Sequence, residues 1–164
     1  MSKATSKITV ENGVTTVRVS RNYPAGSPPT AERVWAIVSD FAGLKKIFPS
    51  LVRVYVTYPS ATETVIDTVR DMTFLTPDPK NPLAFGVEQL VAIDDKTRQL
   101  TYRSVLGLPT KDYSSVMQVT GENACTLNWT STYVDNGGGS GFADSLAQIL
   151  AGGADQIALE LKIR

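Results

Sequence analysis

The segment "FADSLAQILAGGADQIALELKI", residues 142–163, sets Phe142, Leu146, Ile149, Leu150, Ile157 and Leu161 at spacings of three and four. That period gives a helix a single apolar stripe. A helix of this length, roughly 33 Å, must lay its stripe on something. Most of the preceding chain has the period of strands instead. The fold is therefore α+β, with one long terminal helix set beside a run of antiparallel strands. Gly152 and Gly153 interrupt the helical pattern, and each costs about 1 kcal/mol relative to alanine. Two glycines there imply a kink, or a place where the helix approaches a neighbour or a ligand closely.

The strands are read from their punctuation. "KITVENGVTTVRVS" alternates around Asn12-Gly13, the pair preferred in a two-residue hairpin turn, and the prolines of "NYPAGSPP" end it. From Thr30 the period changes: Val34, Trp35, Val38 and Phe41 share a helical face, with Leu44, Ile47 and Phe48 following Gly43. Two short helices are expected, ended by Pro49. Strands follow in "LVRVYVTY", "ETVIDTVRDMTFL", "VEQLVAIDDKTRQLTYRSV", "YSSVMQV" and "TLNWTSTYV". They are separated by "TPDPKNP", "GLPTK" and "TGENA", and the glycine-rich connector "DNGGGSG" leads into the last helix. The expected sheet has about seven strands.

At 164 residues the chain is expected to form one domain, 1–164. Sixteen basic and sixteen acidic residues cancel, which argues against nucleic acid as a partner. No apolar run is long enough to span a membrane, and "MSKATSKITV" lacks the core of a signal peptide. A cytoplasmic, reducing location is the expectation. The single cysteine, Cys125, reads as a buried filler in an alternating strand. There is no histidine, so Ser-His and Cys-His nucleophiles and His-ligated metals are excluded. Acid–base chemistry would fall to carboxylates, tyrosine or lysine, with no metal and no cofactor expected.

In the hairpin 87–105, a two-residue loop at Asp95-Lys96 would set Glu88 opposite Arg103, Leu90 opposite Thr101 and Ala92 opposite Gln99. The other face would carry Val87, Val91 and Ile93 against Leu100 and Tyr102. That apolar stripe is unusual for a solvent face and would suit a homodimer. Both faces are partly apolar, so periodicity does not choose the inner one. Glu88 and Arg103 are an exposed salt bridge, a mutually satisfied interior pair, or a pair that orients the polar group of a ligand.

The stretches "AERVWAIVSDFAGLKKIFP", "TVRDMTF", "VEQLVAIDDKTRQLTY", "GLPTKDYSSVMQV" and "FADSLAQIL", in that order, resemble the helix-grip superfamily. It includes the birch pollen allergen, START lipid-transfer domains, polyketide cyclase/dehydrase-like proteins and abscisic acid receptors. The resemblance implies a curved sheet gripping the terminal helix, with a cavity between them for a small apolar or amphipathic molecule. The chain departs from the hormone receptors: "GLPTK" lies one hairpin later than their closing loop, and their ligand-anchoring lysine has no clear match. Hormone recognition is not implied.

Aligned on the superfamily, Glu88 faces inward and carries Arg103 with it. The same alignment turns Arg70, Met72, Phe74, Leu90, Tyr113, Ser115, Met117, Trp129, Ser131 and Tyr133 inward, with Phe142, Leu146 and Leu150 on the helix side. Arg103 or Arg70 would hold a carboxylate or enolate in a forked hydrogen bond. Trp129 and Phe74 read as packing walls, and Tyr113 and Tyr133 as hydrogen-bond donors or satisfied core tyrosines. Two functions follow. One is a carrier of a polyketide, lipid or related metabolite. The other is a cofactor-independent cyclase, dehydratase or aldolase-type enzyme with Glu88, Tyr113 and Arg103 as its catalytic groups.

Overall fold

A computed structural model describes residues 3–58, 65–75, 79–80, 83–136 and 141–163. The N-terminal segment folds back on itself as β1 (Thr5–Glu11) and β2 (Val14–Tyr23). Asn12 and Gly13 close the turn with φ of 52° and 78°. Two successive left-handed residues match the twist of the flanking strands, which is why this pair favours hairpins. After α1 (Thr30–Val38) and a single 3-10 turn (Leu44–Lys46), the chain reaches the far edge of the sheet. It then returns as β3 (Leu51–Thr57), β4 (Val69–Leu75), β5 (Leu83–Asp94), β6 (Gln99–Leu106), β7 (Thr110–Gly121) and β8 (Cys125–Asp135). The sheet order is β1-β2-β8-β7-β6-β5-β4-β3, antiparallel throughout. The eighth strand beyond the expected seven comes from the opening hairpin.

One face of the sheet makes the core. Val17, Val19 and Tyr23 on β2, Tyr113, Met117 and Val119 on β7, and Leu127, Trp129 and Tyr133 on β8 are all buried. Their alternation with half-exposed or exposed threonine, serine and asparagine is the period-two pattern of a half-buried sheet. The terminal helix α2 (Phe142–Glu160) lies over this face. Its C-terminal half is tied down: the Tyr23 hydroxyl donates to the Ala154 carbonyl at 2.8 Å, and Arg21 is ion-paired with Asp155. Arg33 of α1 donates to the Leu161 carbonyl at 2.7 Å, just past the end of the helix. No helix among the described residues is long and apolar enough to cross a membrane.

Four local expectations change. The second short helix is only the 3-10 turn. The helix α2 has 19 residues and stops at Glu160, a length of about 28 Å. The strand expected over 63–75 begins at Val69, because Val65–Thr68 form a turn in which the Thr68 hydroxyl donates to the Val65 carbonyl at 2.7 Å. Residues 59–64, most of "TPDPKNP" and the connector residues 137–140 lie outside the described residues.

The fourth change moves side chains. The β5–β6 loop has four residues, not two, since Asp94 pairs with Gln99. Asp94 folds the loop onto itself: its carboxylate accepts from the Lys96 backbone N–H and the Thr97 hydroxyl, both at 2.9 Å. This side-chain capping is a regular use of aspartate in turns. A bulge at Val91 shifts the register again, so Leu90 meets Tyr102, Gln89 meets Arg103 and Glu88 meets Ser104. Arg103 therefore lies on the outer face, exposed, donating to the Gln89 side chain at 2.8 Å. Leu100 and Tyr102 turn into the core, 1% and 2% exposed. The outer apolar stripe, and the dimer contact built on it, lose both residues.

Candidate functional site

Between the sheet and the N-terminal half of α2 lies a cavity of about 780 Å³. Strand β4 presents Arg70, Met72 and Phe74 to it by alternation, and β5 presents Gly86 and Glu88 opposite Met72 and Arg70. Tyr102 and Ser104 come from β6, Tyr113 from β7 and Trp129 from β8. Phe142, Leu146, Ile149, Leu150 and Gly152 line it from α2. Leu44, Ile47 and Phe48 close one side, and the β6–β7 turn residues Gly107, Leu108 and Pro109 another. Leu75, Phe85 and Ile149, each more than half exposed, give this wall an apolar outer margin.

Glu88 is joined to Arg70, not to Arg103. The Arg70 Nε and Nη2 atoms donate to Glu88 Oε2 at 2.8 and 2.6 Å. Arg70 Nη1 donates to the Phe41 carbonyl at 3.0 Å. The guanidinium also lies 3.9 Å from the centre of the Phe41 ring and 4.9 Å from that of Tyr102. The side chains are 5% and 12% exposed, so two ions have lost most of their water. Such a pair survives burial only when the remaining hydrogen-bonding groups are met, and for Arg70 they are met by Phe41 and the aromatic rings.

Beside this pair is a group of hydroxyls. The Tyr113 hydroxyl lies 3.1 Å from Ser131 Oγ and 3.4 Å from Ser115 Oγ, and the two serines are hydrogen-bonded to each other. Trp129 Nε1 donates to the Tyr102 hydroxyl at 3.1 Å. Burial pushes the Tyr113 phenol above its ordinary value, and the charge of Glu88 adds to this, while the serines draw it partly back. Burial raises Tyr102 further, reinforced by Tyr113 and Glu88 and opposed by Arg70. Both phenols are protonated and able to donate.

Of the residues assigned inward from sequence, Arg70, Met72, Phe74, Glu88, Tyr113, Trp129, Phe142, Leu146 and Leu150 come together around the cavity. Ser115 and Ser131 are buried behind Tyr113 and reach the space only through its hydroxyl. Leu90 and Met117 are core residues off the cavity wall, and Tyr133 stacks on Tyr113 with ring centres 6.4 Å apart. Arg103 is outside, and the forked grip expected from it is absent; the fork of Arg70 is taken by Glu88. Tyr102, Ser104 and the 44–48 segment were missed. The Asp94 to Thr97 spacing, typical of a capped turn, was the available signal for Tyr102 and Ser104.

The sequence profile of the family described as "Polyketide cyclase / dehydrase and lipid transport" matches residues 9–161. The chain belongs to this family. Among solved structures, the protein XoxI from Bacillus cereus is similar at 20% identity and a TM-score of 0.69, over 91% of this chain and 99% of that one. Norcoclaurine synthase from Thalictrum flavum, in complex with dopamine and hydroxybenzaldehyde, is 19% identical with a TM-score of 0.66, over 92% and 88%. An uncharacterized protein from Bacillus thuringiensis is 20% identical with a TM-score of 0.66, over 87% and 95%. At these identities the likeness is one of fold. No curated protein matches.

Proposed function

We propose that the cavity takes up one small amphipathic molecule whose body is apolar and contains rings, in the manner of a carrier. The single observation behind this is the make-up of the wall. A space of about 780 Å³ falls within the usual size of small-molecule sites. Phe48, Phe74, Phe85, Tyr102, Tyr113, Trp129 and Phe142 put more than half of the chain's aromatic side chains on it. Aromatic walls favour flat rings by stacking and edge contacts as well as by area. The apolar margin of Leu75, Phe85 and Ile149 suits the passage of such a guest.

Titration with the fluorescent ring compound aminoanthracene tests this, read by the dye's own emission, which rises in an apolar site. Saturable uptake with one site per chain is the expected result, and Leu146→Trp, which fills the space, should abolish it. Uptake that persists unchanged in that variant would place binding elsewhere and end the proposal.

A second reading is supported by Glu88 and Tyr113 lining the same space. A carboxylate there would remove a proton from a carbon beside a carbonyl, and a tyrosine hydroxyl would stabilise the enolate. In this reading Glu88→Gln stops turnover of a carbonyl substrate while aminoanthracene is still taken up.

A further inference from the structure

Among the described residues that line the cavity, only Arg70 and Glu88 are charged. They are bound to each other, so the wall carries no net charge. Three N–H groups of the Arg70 guanidinium donate, to Glu88 Oε2 or to the Phe41 carbonyl, and the rings of Phe41 and Tyr102 lie against it. Its charge is matched by Glu88, so Arg70 is a positioning residue for Glu88 and offers an entering anion no unpaired cation. Both donations to Glu88 fall on Oε2, so Oε1 takes no part in the fork.

We infer that the polar end of the guest is a neutral hydroxyl, a phenol or an alcohol, which donates to Glu88 Oε1, and that the cavity rejects carboxylates. This rests on reading the cavity as a binding site. A carboxylate entering it would lose its water, meet no unpaired cation and face the charge of Glu88. An ammonium would set a second cation beside Arg70. A hydroxyl loses little water by comparison and forms a charge-assisted hydrogen bond, about twice as strong as a neutral one. Tyr113, on the same wall, adds a hydroxyl that can give or take a hydrogen bond.

The test is a matched series near neutral pH: naphthalene, naphthol and naphthoate, substituted at the same ring position, each displacing aminoanthracene from the wild-type protein. Naphthol should bind about tenfold more tightly than naphthalene, and naphthoate about tenfold more weakly than naphthol. If none of the three displaces the dye, the cavity is not a site for such molecules and the reading beneath the inference fails with it. If naphthalene binds but naphthol gains nothing, or naphthoate equals naphthol, the cavity reading stands and the inference is overturned.

Glu88→Gln gives an independent check, with circular dichroism to confirm its fold. It frees the Arg70 guanidinium and removes the charged acceptor, so naphthoate should gain about tenfold while naphthol loses about tenfold, and the order of the two reverses. An unchanged order of probes in the folded variant would also overturn the inference. The wild-type series decides the matter by itself if the variant does not fold.

Discussion

Arg70 and Arg103 are the same residue type on neighbouring parts of one sheet, yet their surroundings give them opposite weight. Arg70 is buried and holds Glu88, the Phe41 carbonyl and two rings. Replacing it by methionine leaves an uncompensated carboxylate beside an unmet carbonyl, so Arg70→Met should lower stability by about 3 kcal/mol. Arg103 is exposed and, among the described residues, donates to the Gln89 side chain, an arrangement that water replaces readily. Arg103→Ala should change stability by less than about 0.5 kcal/mol. Urea denaturation of both variants measures the contrast, and comparable losses would mean that the inner face of β6 has been misidentified. Glu88 was legible as an inward acid only through resemblance to a superfamily. Its true partner was not, because Arg70 and Glu88 meet across two strands joined by a loop whose geometry no local pattern specifies.

At the scale of elements, signals that are satisfied locally were readable and those set by competition were not. Asn12-Gly13 fixes its hairpin through backbone conformation alone, and it sits where the sequence placed it. The β5–β6 loop depends on whether Asp94 pairs in the ladder or caps the turn, and its capping bonds move Tyr102 from one face to the other. The glycine pair of α2 was legible as a place of close approach, but its two members differ. A Cβ on Gly153 would lie 2.8 Å from Phe48 Cε1 and 2.9 Å from Ile47 Cγ2, whereas one on Gly152 would meet nothing within 4 Å. Gly152→Ala should therefore gain the helical preference of alanine and raise the melting temperature by about 3 °C. Gly153→Ala must push the 44–48 segment away and should cost about 1–2 kcal/mol. Differential scanning calorimetry separates the two, and a gain in both would show that Gly153 is not in contact.

For the molecule as a whole, the hollow is what sequence patterning does not reveal, since a filled core and an empty one are lined by the same residue types. Burial of titratable groups, on its wall and elsewhere in the core, has a consequence that titration detects. Burial raises the phenols of Tyr23, Tyr102 and Tyr113 above their ordinary value of 10.0, and it pushes the Cys125 thiol from 9.0 up to about 11. In each case the folded chain keeps its proton to higher pH than the unfolded chain. Stability is then complete below pH 9, where both states are protonated, and falls as the unfolded thiol and then the unfolded phenols ionise. The urea midpoint should hold steady from neutral pH to about 9 and drop progressively through about 11. Cys125→Ala removes the earliest part of the drop and leaves the tyrosine part. Tyr102→Phe should flatten the later part, because a phenylalanine has no proton to lose, although it leaves the Trp129 N–H without its acceptor. Were the inner end of the cavity open to bulk water, Tyr113 would ionise at its ordinary pH in the folded protein and contribute nothing to the drop. An ultraviolet titration of the folded chain, following phenolate absorbance, distinguishes these cases: a Tyr113 phenol shielded from bulk water ionises above its ordinary pH, and a ring compound bound in the cavity should delay its ionisation further.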